Sequence, residues 1–225
     1  MNNVMKKNTS KSKSPYISVI IPTYNEEKYL ARCLEAFQKQ KTKYLYEILI
    51  IDHDSTDRTK AIAKQFQTKI INESRRGTAV ARQTGIEAAS GDIVAFTEAD
   101  CTVPSNWITL IGDHFRTHPD DVGVTGRYVF DDANSLSQRH TLASMGFGNY
   151  LCRLGQGHYP FRGTNSAGKK SIILKAGGFR EESAPFDDAD CSTRVAKFGY
   201  ISFMRNLVVE TSSRRIKGRF FSYFF

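Results

Sequence analysis

Residues 92–104 read DIVAFTEADCTVP and join a continuous apolar run, residues 93–96, to two carboxylates, Glu98 and Asp100. An apolar run without alternation is typical of a strand that is buried on both faces of a parallel sheet. Burying two neighbouring carboxylates costs several kcal/mol unless positive charge compensates them. We therefore expect a buried strand that ends at a cation-binding edge of a sheet.

The chain before this stretch alternates apolar strands with helical segments. Strands are predicted at residues 17–22, 46–52, 69–71 and 93–96. Helices are predicted between them, at residues 25–40, 57–66 and 78–89. This alternation predicts an α/β fold with a mostly parallel central sheet and helices on both faces. Ligands bind such sheets beyond the carboxyl ends of the strands, which places residues 23–26, 52–55 and 98–100 along one edge.

The second half of the chain is less regular. Helices are predicted from Pro104, over 136–154 and over 187–198, and strands at 122–130, 200–204 and 206–210. We expect this half to pack against the first sheet, so that residues 15–212 form a single domain. Residues 1–14 are expected to be a disordered basic tail, and residues 213–225 a basic and aromatic C-terminal segment.

Composition limits the classes of protein that the chain can belong to. It has 225 residues, 40% of them hydrophobic, and a formal net charge of +9. This is an ordinary globular composition, and its charge suits phosphorylated ligands or an anionic membrane surface. The four cysteines are scattered, which argues against zinc or disulfides and favours a reduced cytoplasmic setting. No apolar run approaches the roughly 18 residues of a membrane span, and no export signal is evident.

Five segments of the sequence occur in the same order as the motifs of a known family. They are VIIPTYNEEKYLARCL, EILIIDHDSTDRT, RRGTAVARQTGIEAASGDIVAFTEAD, GTNSAGKKSIILKAGGF and FDDADCSTRVAKFGY. Together they resemble family 2 glycosyltransferases with the GT-A fold, over residues 17–211. The resemblance implies a nucleotide-sugar donor (a UDP-, GDP- or dTDP-sugar), Mn²⁺ or Mg²⁺, and inversion at the anomeric carbon. Nucleic acid is not an expected partner.

The resemblance also implies a donor site. Its residues would be Pro22, Thr23, Tyr24, Glu26, Asp52, Asp54, Arg76, Arg82, Glu98 and Ala99. A helix N-terminus with arginines suits a diphosphate, although a solvated basic face would look the same. Asn25 as an N-cap and Asp54 as a cap for the next helix are simpler interpretations. Since His53 and Asp54 replace the usual Asp and Gly, the base stays open.

Glu98 and Asp100 resemble the family's D-x-D motif, with Asp100 as the main metal ligand. Residues two apart on an extended segment point the same way, so both carboxylates would face one hard cation. A helix cap before Pro104 is the alternative. On the acceptor side the resemblance implies Gly163, Thr164, Asn165, Gly177 and Asp187.

Asp188 matches the position of the family's catalytic base, in the run Asp187-Asp188-Ala189-Asp190. Clustered carboxylates disfavour one another's charge, which makes one of them a better base near neutral pH. Acids in the first turn of a helix also suit the helix macrodipole, and that is the plainer interpretation.

The leading function is a metal-dependent inverting glycosyltransferase that adds a single sugar, because the Q-x-x-R-W motif of processive synthases is absent. Glycolipid or cell-envelope polysaccharide synthesis is its expected setting. A sugar-phosphate nucleotidyltransferase would need a glycine-rich loop after the first strand, which PTYNEE lacks; an inactive nucleotide-sugar binder is the other alternative.

Residues 212–225 join four cations to five aromatics, which predicts peripheral contact with an anionic membrane and a lipid-linked acceptor, or else a packed helix or oligomer contact.

Overall fold

A computed structural model describes residues 16–131, 152–155, 157–184 and 186–215. The strands are β1 Ile17–Thr23, β2 Tyr46–Asp52, β3 Lys69–Asn72, β4 Ile93–Phe96, β5 Cys101–Thr102, β6 Asp121–Phe130, β7 Ser166–Lys169 and β8 Tyr200–Thr211. The helices are α1 Leu30–Gln38, α2 Thr59–Gln65, α3 Thr78–Ala88, α4 Trp107–Thr117, α5 Lys170–Lys175 and α6 Asp187–Val195. These strands form one eight-stranded sheet in the order β3-β2-β1-β4-β7-β6-β8-β5.

The first half of the sheet is parallel, as predicted. β1 pairs in parallel with both β2 and β4, and β2 with β3. In this register Thr23 at the end of β1 lies opposite Asp52 at the end of β2. The carboxyl ends of the strands therefore meet at one edge, and the loops that follow them lie side by side.

Helices cover both faces of the sheet because the strands bury side chains on both. Val19 and Ile21 of β1 pack with α1 and α4 in one cluster of buried residues. Ile20 packs on the opposite face with side chains from α3, α5 and α6. This alternation explains why the run ISVIIPT is almost continuously apolar. The expectation of a mostly parallel sheet with helices on both faces is confirmed.

The second half was expected to pack against the first sheet, and its strands instead join that sheet and extend it. β7 lies antiparallel between β4 and β6, β6 runs parallel to β8, and β5 pairs antiparallel with the end of β8. The two closing strands predicted at 200–204 and 206–210 form one strand, β8, whose register against β6 shifts between Thr125 and Arg127. The residues between Arg162 and the start of β7 therefore lie at the edge of the sheet where β4 ends.

Some expectations fall on other parts of the chain. The predicted tail at 1–14, most of the predicted helix at 136–154 and residues 216–225 lie outside the described residues. The single domain at 15–212 stays a prediction. Within the described ranges, no helix combines the length and apolar character needed to cross a bilayer.

Candidate active site

The loops after β1 and β2 are joined by hydrogen bonds. The backbone N–H of Asn25 donates to Ser55 Oγ at 2.9 Å, and the N–H of Thr56 donates to Asn25 Oδ1 at 2.9 Å. Asn25 has a φ of +53°, which directs the chain across the sheet edge. It is not the N-cap of α1, which begins later, after Tyr29. Asn25 instead fixes one loop against the other.

Asp52 joins the loops that follow β1 and β2. Its side chain is fully buried, and its oxygens accept from Thr23 Oγ1 at 3.1 Å and from the N–H of Ser55 at 2.9 Å. Lys60 Nζ lies 3.2 Å from the same carboxylate. These contacts give Asp52 a supporting role, and its contact with a nucleobase stays a prediction.

Asp54 is exposed and has a φ of +46°. It does not cap α2: Asp57 Oδ1 accepts from the N–H of Thr59 at 2.9 Å at the start of that helix. The capping interpretation of Asp54 is thus wrong, because the helix begins later than the sequence pattern indicates.

A cavity of about 360 Å³ opens at this edge of the sheet. Most of the predicted donor residues line it: Pro22, Thr23, Tyr24, Glu26, Arg76, Arg82 and Glu98. Ala99 is buried behind it. A larger cavity of about 710 Å³ lies at the opposite edge, where β6 and β8 begin, and none of the predicted site residues lines it.

The cavity is also lined by residues that were not among the predicted donor-binding residues: His53, Gly77, Thr78 and Ala81. The Tyr24 and His53 rings lie 5.4 Å apart at its wall, and Gly77 precedes the first residue of α3. His53 directly follows the end of β2 and lies within residues 52–55, which the rule that ligands bind beyond strand ends places along this edge.

Arg82 connects the donor cavity to the acceptor side. Its buried guanidinium lies 2.6 Å from Asp187, 3.1 Å from Asp188 and 3.8 Å from Glu98. Burial alone would lower the pKa of Arg82, but the three carboxylates raise it overall. One cation from α3 thus compensates acids from the end of β4 and from the start of α6.

Gly163 makes this cluster sterically feasible. A Cβ at this position would lie 1.7 Å from Arg82 Nη2. Its backbone N–H donates to Asp188 Oδ2 at 2.8 Å. The glycine therefore lets the loop approach the guanidinium and orients the Asp188 carboxylate at the same time.

Asp188 is partly exposed, but its two oxygens differ. The side chain is 30% exposed, whereas Oδ1 is buried, lies 3.1 Å from Arg82 Nη1 and has no hydrogen-bond partner among the described residues. Burial raises the pKa of Asp188; Arg82 lowers it and Asp187 raises it, with a net increase. A partly exposed carboxylate with a raised pKa has two properties of a general base.

Glu98 and Asp100 do not lie on an extended segment. The N–H of Cys101 donates to the carbonyl of Glu98 at 3.0 Å, which closes a turn. The expectation that an extended backbone turns both carboxylates toward one point is wrong here. Glu98 lies near Arg82, whereas Asp100 Oδ2 accepts from Arg214 Nε at 2.9 Å. Asp100 is not a helix cap either, since α4 begins only at Trp107.

Arg214 is the residue of this site that the sequence analysis missed. It follows β8, and its Nη2 also donates to Glu26 Oε1 at 2.6 Å. Its guanidinium lies 4.2 Å from the centre of the Tyr29 ring. The positive charge expected beside the buried carboxylates is thus provided by two arginines. No local signal links Arg214 to Asp100, because 114 positions separate them.

The carboxylate oxygens of Glu98 and Asp100 are chemically suitable ligands for a hard cation, but they do not form a complete metal site by themselves. In the part of the chain that the structure describes, no group of three or more His, Cys, Asp or Glu side chains is placed to hold a metal. Mg²⁺ is commonly held by one or two carboxylates together with substrate phosphates and water. Asp100 and Glu98 provide the two carboxylates of that pattern, and in this structure Asp100 Oδ2 is engaged by Arg214.

The structure places the five predicted acceptor-side residues in three different surroundings. Gly163 and Asp187 lie in the Arg82 cluster, and the Thr164 carbonyl beside them accepts from Thr97 Oγ1 at 3.1 Å. Gly177, with a φ of +89°, is in the turn after α5. Asn165 is fully buried, a placement that does not support its predicted contact with an acceptor, which stays a prediction. Its amide is engaged within the core instead.

Comparisons with known proteins identify the family and the fold. Residues 18–177 match the family model described as glycosyl transferase family 2. Glycosyltransferase AglE of Haloferax volcanii is 36% identical over 134 residues, which are 56% of this chain and 44% of that protein.

A second relative, from Methanococcus voltae, is a dolichyl N-acetyl-alpha-D-glucosaminyl phosphate 3-beta-D-2,3-diacetamido-2,3-dideoxy-beta-D-glucuronosyltransferase. It is 44% identical over 85 residues, which are 34% of this chain and 26% of that protein. The chain thus spans less than half the length of these two relatives.

A solved structure supports the fold. The mannosyltransferase PcManGT from Pyrobaculum calidifontis, in complex with GDP-Man and Mn²⁺, superposes with a TM-score of 0.69 at 22% identity, over 89% of this chain and 58% of that one. The family model covers most of the chain, and the GT-A fold agrees with it. This chain therefore belongs to glycosyl transferase family 2.

Proposed function

We propose that the chain transfers one sugar from a nucleotide-sugar donor to an acceptor hydroxyl, with inversion at the anomeric carbon and with Mn²⁺ or Mg²⁺. The observation that carries this proposal is the buried Arg82, which joins Asp188 on the acceptor side to Glu98 at the donor cavity. The group that would accept a proton and the cavity that would hold the donor are thereby adjacent.

The cavity offers each part of a nucleotide-sugar a suitable neighbour. Tyr24 and His53 present rings for a nucleobase. Arg76 and the N-terminus of α3, after Gly77, suit the diphosphate by charge and by backbone N–H groups. A cation held by Asp100 and Glu98 would stabilise negative charge on the departing diphosphate.

Asp188 would remove the proton from the acceptor hydroxyl. Inverting transfer is a single displacement, so one base must take this proton as the new bond forms. Gly163 donates to Oδ2 and Arg82 lies beside Oδ1, so both hold the carboxylate in place. The carboxylate faces the same cluster as Glu98, so the acceptor would lie between α6 and the donor.

Substitution of Asp188 by Asn tests this proposal, because it keeps the shape and removes the basicity. Transfer should fall by about 10²–10⁴-fold, while donor binding stays close to wild type. Asp190→Asn is the matched control: Asp190 lies in the same helical turn but pairs with Arg194 and Ser183. Near-normal transfer by Asp188→Asn, or an equal loss of donor binding, would contradict the assignment.

The base of the donor can be identified by ligand stabilisation. A thermal-shift panel of UDP-, GDP- and dTDP-sugars, each with and without Mn²⁺, should raise the melting temperature only for the correct nucleotide. The structural neighbour was solved with GDP-Man and Mn²⁺, which makes a GDP-sugar one rational starting point. A ligand that stabilises the chain without turnover would support an inactive binder instead.

The acceptor is proposed to be lipid-linked, at the inner face of a membrane. The name of the Methanococcus voltae relative includes a dolichyl phosphate acceptor, and residues 212–225 combine cations with aromatics. Flotation of the full chain with phosphatidylserine-containing vesicles tests membrane contact. Co-migration at low salt that weakens at high salt is expected, and its absence at low salt would contradict this part of the proposal.

A further inference from the structure

Arg214 uses the two donors on one side of its guanidinium for two different carboxylates. Nε donates to Asp100 Oδ2 at 2.9 Å, and Nη2 donates to Glu26 Oε1 at 2.6 Å. These two donors form the fork that commonly binds both oxygens of a single carboxylate. In this structure the fork is therefore split, and each carboxylate receives one half of it.

Glu26 has an oxygen that could receive the other half. Glu26 Oε2 is buried and has no hydrogen-bond partner among the described residues. A buried acceptor without a partner is unfavourable, particularly on a charged group. If Nε moved from Asp100 to Glu26, the guanidinium would bind Glu26 through both oxygens. The Tyr29 ring, 4.2 Å from the guanidinium, could remain in contact during such a short movement.

The charges make the present arrangement incompatible with a cation at Asp100. The Asp100 carboxylate is buried, and its Oδ2 is engaged by Arg214. Its other oxygen lies 3.5 Å from Thr211 Oγ1 and 4.0 Å from Cys101 Sγ. A divalent cation would have to displace the guanidinium from Oδ2, since two cations cannot share that oxygen without repulsion.

Resting on the proposed function, we infer that Arg214 is an exchangeable counter-ion for Asp100: it neutralises this carboxylate in the absence of metal and moves onto Glu26 when a divalent cation binds. Arg214 therefore positions Asp100 and competes with the cation for it. The cost of displacing the guanidinium weakens metal binding to the donor-free protein. The same exchange leaves Asp100 compensated throughout.

The test is the affinity of the full chain for Mn²⁺ without donor, measured by electron paramagnetic resonance of free Mn²⁺. Arg214→Gln removes the competitor, so Mn²⁺ should bind at least about tenfold more tightly than to wild type. Arg58→Gln is the matched control, because Arg58 is 81% exposed and pairs with Glu27 instead. Its Mn²⁺ affinity should equal that of wild type.

Two further variants locate the effect. Asp100→Asn in the Arg214→Gln background should abolish the gain, because the gain depends on the released carboxylate. Glu26→Gln should weaken Mn²⁺ binding more in wild type than in Arg214→Gln, since only the former needs Glu26 to receive the guanidinium. Arg214→Lys keeps the charge without the fork and should fall between wild type and Arg214→Gln. This variant serves as the test if Arg214→Gln does not fold.

The inference is overturned if Arg214→Gln and Arg214→Lys bind Mn²⁺ no more tightly than wild type, or if the gain survives Asp100→Asn. These measurements need neither donor nor acceptor. Failure of sugar transfer would therefore contradict the proposed function and leave the exchange intact. Conversely, an unchanged Mn²⁺ affinity together with Asp188-dependent transfer would remove only the exchange.

Discussion

At the scale of single residues, the surroundings of Asp188 decide how transfer should respond to pH. The carboxylate is raised in pKa by burial and by Asp187, against the opposing influence of Arg82, Arg162 and the N–H of Gly163. Its ionised form, which is the base, accordingly becomes the major form at a higher pH than for an ordinary aspartate, whose pKa is 3.8. The environment favours the neutral acid, so a higher pH is needed to generate the base.

We predict that the transfer rate at saturating donor rises with pH along a limb that lies above pH 3.8. Initial rates between pH 4 and 8 would measure it. The residual rate of Asp188→Asn should lack this limb, because the titrating group is gone. A limb that persists unchanged in the Asn variant would assign the titration to another group.

Gly163 leads to a steric prediction. The Cβ of Gly163→Ala would lie 1.7 Å from Arg82 Nη2, so the guanidinium must move away from Asp188 or the loop must shift. We expect transfer to fall at least about tenfold and the free energy of unfolding to fall by about 1–3 kcal/mol, the usual cost of overpacking. Enzyme assays and urea unfolding would measure the two effects.

Gly155→Ala is the control for this substitution. Among the described residues, nothing lies within 4 Å of a Cβ at Gly155, and the residue belongs to the short helical segment 152–155, where alanine is favoured over glycine. Its stability should stay the same or rise. If Gly163→Ala matched Gly155→Ala in both assays, the close approach to Arg82 would have no energetic consequence.

At the scale of elements, Glu73 ties the end of β3 to α3. Its carboxylate accepts from Arg75 at 2.8 Å and from Thr84 Oγ1 on α3. These hydrogen bonds, from Arg75 first and then from Thr84, lower the pKa of Glu73 from 4.5 to about 2. Ionised Glu73 is thus more stable in the native state than in the unfolded chain.

Because this pKa is lowered on folding, the stabilisation is fully present above pH 4.5 and is lost as the pH falls toward about 2. We predict that Glu73→Gln is less stable than wild type at pH 7. The difference between the two proteins should shrink steadily below pH 4.5. Urea midpoints at pH 7, 4 and 3 would show it, and a pH-independent difference would contradict the linkage.

The limits of sequence analysis are clearest at this scale. The strands β1 to β4 are predicted closely because short continuous apolar runs between helical segments, such as Ile93–Phe96, are typical of buried parallel strands. The start of α1 is predicted too early because Asn25 and Glu26 are held by Ser55 and Thr59. Such contacts between two loops, about 30 residues apart, leave no local pattern.

The site residues likewise divide into those that the sequence predicts and those that it does not. Glu98, Asp188 and most cavity residues can be identified because family motifs mark them, and strand ends bring them together. The turn at Glu98 and the pairing of Asp100 with Arg214 cannot, since the chain directly after Asp100 pairs as β5 with the end of β8, which is distant in sequence. A charge that arrives from 114 residues away cannot be inferred from spacing.

At the scale of the whole molecule, Asn165 links the second half of the sheet to α4. Its Oδ1 accepts from Trp107 Nε1 at 2.9 Å, and its Nδ2 donates to the carbonyls of Arg127 at 2.7 Å and Leu207 at 2.9 Å. The contact is tight: a Cβ at Gly126 would lie 2.3 Å from this amide. One side chain thus connects α4, β6 and β8 where the register of β8 shifts.

We predict that Asn165→Ala lowers the free energy of unfolding by about 3 kcal/mol or more. The substitution leaves the Trp107 N–H and two backbone carbonyls without partners, and each buried unpaired group costs about 1–3 kcal/mol. Urea unfolding would measure the loss, with exposed Asn72→Ala as the control that should change stability little. An acceptor-binding residue would behave differently: its loss would raise the KM for acceptor and leave stability unchanged. That pattern would contradict the structural role, because a fully buried amide touches the acceptor only if this part of the sheet opens.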